Sequence, residues 1–332
     1  MSIVSTVGID LAKNVFSVHG IDANGAVVVR RVVARAKLTE LVAQMPPCLI
    51  GMEACSGAHE WARRFVSFGH TVKLIAPKFV APYRKSGKND GNDAEAICEA
   101  VARPNMRFVP VKCLEQQVEL SLHRVRQGFV EERTATLNRL RGLLTEFGHV
   151  LPLRAVEVQR RVPHLLEQLP ARLARCARDL LEHAARCESS ALEYEWEIKL
   201  HVRSDALACR AQTRQGVGPI TASAIVATVG NGHDFKNGRQ FAAWLGLVPR
   251  QYSTGGKTRL GHITKRGDPY LRCLLVMGAR SVLQRATRMK DPFSRWALAV
   301  QARRGYHRAC VAIAAKNARV VWALLAKEPP AA

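Results

Sequence analysis

Two short apolar runs each lead straight into an acid, and no other feature of the chain constrains its fold as much. Residues 3–9 are β-prone and end on Asp10, and residues 48–52 read as a short buried strand that ends on Glu53. Between them, residues 15–21 alternate in polarity, Asp22-Ala-Asn-Gly25 is a turn signal, and residues 26–33 continue as a third strand. Three antiparallel strands are therefore expected to open the fold. Helical spacing over 37–45 stops at Pro46-Pro47, then come a helix over 58–68, a strand over 71–75 and a helix beginning near Asp90. The order β-β-β-α-β-α-β-α specifies a mixed α/β sheet with helices packed on it. Ligands of such sheets gather at the carboxyl ends of strands, where Asp10 and Glu53 stand.

Asp90 and Asp93 lie three residues apart, so on a helix they share one face, and the stretch before them is basic and contains glycine. Such a pair can share a cation, or either acid can cap the helix N-terminus. Asp10 can likewise be a plain turn residue and Glu53 a helix-start acid.

From 114 to 147 the pattern is helix only, with Leu114, Val118, Leu122, Val125 and Phe129 recurring at three- and four-residue steps. A second such stretch runs over 164–210, interrupted by Pro170. These predict two long amphipathic helices pairing as an antiparallel coiled-coil arm, or pairing between subunits.

Beyond 215, Gly216-Val-Gly218-Pro opens a small-residue helix in the manner of a helix-hairpin-helix element, which presents backbone N–H groups to phosphate; a plain tight turn is the alternative. Pro249-Arg-Gln-Tyr-Ser253-Thr254-Gly255-Gly256-Lys257-Thr-Arg259, followed by Lys265-Arg266-Gly, sets a hydroxyl pair and two glycines among cations. That composition suits a phosphate-facing loop, with Arg250, Lys257, Arg259, Lys265 and Arg266 on the nucleic-acid backbone. The hydroxyls are either catalytic or hydrogen-bond a phosphate or turn. Apolar helices over 270–285 and 307–327 complete this region, ahead of an unstructured Pro-Pro-Ala-Ala.

Fifty Lys and Arg against 27 Asp and Glu, a formal charge of +23, spread along all 332 residues, point to a polyanionic partner bound over a long surface. No apolar run of membrane-spanning length and no signal peptide is read, which predicts a cytoplasmic protein. The nine cysteines show no C-x-x-C pair, so neither zinc nor a disulfide framework is expected.

Gly8-Ile-Asp10-Leu-Ala-Lys13, Gly51-Met-Glu53-Ala-Cys-Ser-Gly57, Lys88-Asn-Asp90-Gly-Asn-Asp93, Gly216-Val-Gly218-Pro and the Pro249 to Lys257 stretch with Lys265-Arg-Gly occur in this order. The set resembles the DEDD-type transposases of bacterial insertion sequences, relatives of the pilin-gene invertase. The resemblance implies an RNase H-like fold like that of the resolvase RuvC over 1–112, a coiled-coil region over 113–210 and a mainly α transposase domain over 211–332. It implies an acidic tetrad of Asp10, Glu53, Asp90 and Asp93, expected to hold Mg²⁺. It further implies a serine nucleophile, Ser253 with Thr254 as the other candidate, a dimer or tetramer, and donor and target DNA selected by a noncoding bridge RNA. The rivals are a resolvase-like nuclease that uses water and a non-catalytic nucleic-acid-binding protein.

Overall fold

A computed structural model describes residues 3–85, 87 and 89–327. Lys88 of the acidic stretch and the expected unstructured end lie outside the described residues. The chain divides into two compact units, Met1–Leu114 and Glu115–Ala332.

In the first unit, β1 (Thr6–Asp10), β2 (Val15–Ile21) and β3 (Val27–Ala34) form the expected antiparallel meander. Next come α1 (Arg35–Ala43), β4 (Leu49–Glu53), α2 (Ala58–Ser67), β5 (Thr71–Ile75), α3 (Pro77–Val80), α4 (Asp90–Val101) and the two-residue β6 (Phe108–Val109). The sheet order is β3-β2-β1-β4-β5-β6, with β4 parallel to both β1 and β5.

The two-residue period of a strand sorts the side chains between two faces. Val7, Ile9, Ile50 and Met52 pack with Leu38 and Val42 of α1 and with Trp61 and Phe65 of α2. The alternate positions carry glycine, and α4 lies on them. A Cβ on Gly8 would stand 2.2 Å from the Ala94 carbonyl oxygen and 2.4 Å from the Cys98 nitrogen. One on Gly51 would stand 2.8 Å from the Val101 side chain.

The second unit opens with α5 (Leu114–Thr145), α6 (Ala155–Leu165) and α7 (Ala171–Ser204). The second long helix thus starts after Pro170 rather than at 164, and a separate short helix precedes it. α5 and α7 pair within the chain and run antiparallel: Arg126 meets Glu195, Arg133 meets Glu188 at 2.8 Å, and Phe129 stacks on Tyr194.

The remaining helices are α8 (Ala206–Gln212), α9 (Pro219–Val229), α10 (Gly238–Trp244), α11 (Pro269–Ala286), α12 (Pro292–Arg304) and α13 (Tyr306–Ala326), with a hairpin of β7 (Pro249–Gln251) and β8 (Leu260–Ile263). By length and composition α13 could cross a membrane, contrary to the expectation that no stretch would. Its Ile313, Ala314, Ala318 and Val321 instead line the apolar core of this unit. Its buried Asn317 accepts from Arg214 Nε at 2.7 Å and donates to the Gln215 carbonyl at 2.9 Å, so it packs as a core helix.

A polar chain missed at the sequence level runs through this core. His123 of α5 lies 3.0 Å from the Tyr270 hydroxyl through Nδ1 and 2.9 Å from Ser223 Oγ through Nε2, and Ser223 donates to Glu119. If the serine proton goes to Glu119, Nε2 carries the histidine proton and Nδ1 accepts from Tyr270, which is a neutral ring. Burial, with Arg126 nearby, depresses His123 to about 4. A histidine depressed on folding contributes stability above its unfolded pKa and loses it as pH falls toward the folded value. Lowering pH from 7 to 4 is therefore expected to cost the second unit about 3 kcal/mol through this residue. Urea melts of wild type and His123→Gln at both pH values check it, since the variant should lose that much less.

Candidate active site

Asp10 ends β1 and Glu53 ends β4, and the parallel register Gly8↔Gly51, Ile9↔Met52 makes them the next facing positions. Both lie two residues beyond a glycine that faces α4, so both point to that helix's side of the sheet. Their mutual neighbourhood is felt by Cys55, whose thiol is pushed up by burial and then by the negative charges of Glu53 and Asp10.

The helix runs back over the sheet. Gly8 meets Ala94 and Cys98, and Cys98 Sγ reaches the Thr6 carbonyl, so Asp10 lies toward the α4 N-terminus where Asp90 and Asp93 stand. The side chain of Asn89 caps this helix, accepting from the Asn92 N–H at 2.8 Å. The cap role open to the aspartates is thus filled by Asn89.

Asp90, at the first helical position, is exposed, whereas Asp93 is buried. Arg84 Nε stands 2.7 Å from Asp93 Oδ1, a contact close enough for an ion pair but not aligned as a hydrogen bond. Among the described residues Oδ1 is therefore a buried acceptor without a hydrogen-bond donor, facing the Arg84 guanidinium. Among the described residues, no three His, Cys, Asp or Glu side chains stand close enough to hold a metal ion. The structure thus brings together Asp10 and Glu53 as one pair and commits Asp93 to Arg84. Neither Arg84 nor Asn89 was singled out from sequence, although both belong to the stretch around the paired aspartates.

The candidate nucleic-acid residues lie in the second unit. Gly216, at φ +84°, is wedged against α11, where a Cβ would meet Val282 at 2.7 Å and the Gly278 oxygen at 2.9 Å, so packing alone requires a glycine there. Gly218 faces open space at the start of α9. Arg250, Lys257 and Arg259 are exposed on the β7–β8 hairpin, with Gly255 and Gly256 in left-handed turn geometry at its tip. Lys265 and Arg266 are exposed on the turn that follows, and Lys265 itself has φ +53°. Ser253 and Thr254 are exposed on the same tip; Ser253 Oγ accepts from Gln251 Nε2 at 2.8 Å.

A DEDD-type family model of the IS110 group, described as a transposase, matches residues 7–149, and the model of the Transposase IS116/IS110/IS902 family matches residues 209–294. A probable family 20 transposase of Pseudomonas aeruginosa is 49% identical to this chain over 98% of each protein. This chain belongs to the IS110/IS116 family of DEDD transposases. The transposase for insertion sequence element IS1111A of Coxiella burnetii is 41% identical, over 99% of this chain and 91% of its own. That for IS1328 of Yersinia enterocolitica is 42% identical over 96% of each. The protein is accordingly a transposase, an enzyme acting on DNA.

Membership corrects the expected serine mechanism. The DEDD type, matched over the unit that carries Asp10, Glu53, Asp90 and Asp93, places the chemistry on acids and conflicts with a hydroxyl nucleophile in the C-terminal region. The geometry gives a physical reason as well. Ser253 accepts a hydrogen bond from an amide that cannot take its proton, whereas an activated serine needs a base at that distance. Ser253 and Thr254 are turn-tip hydroxyls, and neither is read as the nucleophile.

Proposed function

We propose that the transposase cleaves DNA strands at a carboxylate centre built on Asp10 and Glu53, with Asp93 and Asp90 arriving from the start of α4, water attacking the scissile phosphorus as the 3′ oxygen leaves. The observation that carries this reading is the facing of Asp10 and Glu53 at adjoining strand ends, on the face that α4 covers. A meander followed by parallel strands, with helices on both faces, supports an RNase H-like reading of the first unit.

The donor set fits Mg²⁺, which is commonly held by one or two carboxylates plus substrate phosphate rather than by an all-protein cage. Bound there, Mg²⁺ would polarise the scissile phosphate and stabilise the leaving oxygen. Asp10 and Glu53 would hold it, and Arg84, 2.7 Å from Asp93 Oδ1, would keep that side chain oriented until DNA arrives.

Arg250, Lys257, Arg259, Lys265 and Arg266 would grip the DNA backbone, with Gly218 offering backbone approach at the start of α9. The charge of +23 also supports a second nucleic acid, a noncoding guide RNA. The test is cleavage of labelled element-end DNA in Mg²⁺ by wild type and Glu53→Gln, with and without EDTA. Cleavage should vanish in EDTA and fall at least about 100-fold in the variant. Unchanged cleavage by Glu53→Gln would remove the centre from the acids.

A further inference from the structure

A groove of about 560 Å³ opens between α11, α12 and α13, and nothing in the acidic centre or the hairpin uses it. Arg280, Ser281, Gln284, Gln301 and Tyr306 supply its polar lining, and Met277 part of its apolar floor. Tyr306 of α13 and the exposed Arg280 of α11, whose Nη1 lies 3.7 Å from Met277 Sδ, both line it, so two helices bring an aromatic ring and a cation to one groove. We propose that this groove holds one unpaired nucleotide of single-stranded DNA, with the base against Tyr306 and its phosphate on Arg280.

Size and chemistry argue for that ligand. The volume falls within the ~300–1,000 Å³ of small-ligand sites, enough for a nucleotide and far too little for a duplex. No lining residue is acidic, so nothing there repels a phosphate. A base needs a flat apolar face, which the ring of Tyr306 offers, and an edge partner able to donate and accept, which the Gln284 and Gln301 amides provide. Exposed Arg303, Arg304 and Arg308 follow Gln301 and Tyr306 along the chain and would carry the flanking backbone. The occupant is taken as DNA because the enzyme acts on DNA. The site stands on the second unit alone and does not depend on the acidic centre.

The test uses the full chain at fixed salt. Fluorescence anisotropy would compare wild type, Arg280→Gln, Arg280→Lys and Tyr306→Leu on a single-stranded DNA of about 12 nucleotides carrying 2-aminopurine, on the matching duplex, and on the same sequence as RNA. Both substituted side chains reach the surface, and thermal melts confirm that the variants fold. Arg280→Gln and Tyr306→Leu are each expected to weaken single-stranded DNA about tenfold and leave duplex binding within about twofold, with quenching of 2-aminopurine lost in Tyr306→Leu and affinity largely kept in Arg280→Lys. Wild-type affinity for single strands in both variants overturns the proposal. So does an equal loss on duplex, which would mean general charge, or a loss confined to RNA, which would mean a different occupant.

Discussion

Asp10→Asn is expected to lower strand cleavage about 10³-fold, the several kcal/mol that metal-assisted charge stabilisation supplies, while affinity for element-end DNA stays within about twofold. Asparagine keeps the shape of the side chain and the backbone pairing of residue 10 with Ser17, so the sheet should be undisturbed. What changes is one negative charge beside Glu53. Phosphate contacts set affinity, and the proposed ones lie in the other unit, which is why binding should survive. A second readout is independent of activity. Because Asp10 helps to hold the Cys55 thiol up, the variant should alkylate at Cys55 faster than wild type, measured on that peptide by mass spectrometry. Wild-type cleavage by Asp10→Asn would remove this acid from the centre, and unchanged alkylation would mean that its charge does not reach Cys55.

Gly8→Ala is expected to destabilise the first unit by more than about 3 kcal/mol, beyond the usual range for an overfilled core. A single added methyl would lie 2.2 Å from the Ala94 carbonyl oxygen and 2.4 Å from the Cys98 nitrogen, and both are backbone atoms that no rotamer change can move aside. Relief requires α4 to lift from β1, and with it the two aspartates at its start. Gly128→Ala is the control, since Gly128 lies within α5 with open space around it. There the loss of helix-interior glycine should stabilise by about 0.5–1 kcal/mol. Chemical denaturation followed by Trp61 fluorescence, with the four tryptophans of the second unit replaced by Phe in every variant compared, reports on the first unit, and circular dichroism on the helices. If Gly8→Ala melts like wild type, the close packing of helix on strand is wrong.

The strands of the first unit were legible because period-two patterning and turn residues are local signals, and the acids at strand ends stood out against apolar runs. Helix α4 was legible too, but its cap was not: the two aspartates stood out as candidates, whereas Asn89, just before them, carries the same capping chemistry and is the one the backbone geometry selects. Residues that act across long separations left no trace. His123 looks like one more position on an amphipathic helix until Ser223 and Tyr270, 100 and 147 residues away, close around it. Arg84 reads as one of several cations, and only the fold sets it against Asp93. The serine reading failed for a related reason. A hydroxyl followed by two glycines and a cation specifies a tight, exposed turn, and turn chemistry does not reveal whether a base stands nearby. α13 was legible as a core helix, but not that its apolar run reaches spanning length, because alanine-rich core helices and membrane spans share a composition and the difference lies in what covers the helix.

The bonds of Asn317 to Arg214 and Gln215 tie together positions more than 100 residues apart, and they set an order for events at the ribosome. The sheet of the first unit is complete once residues 108–109 have added its last strand, so it can form while the remainder is still being translated. The helical unit cannot close until residues 306–326 have emerged to fill its centre. A nascent transposase therefore carries its folded sheet, with Asp10 and Glu53 already on adjoining strands, well before its helical unit has taken shape.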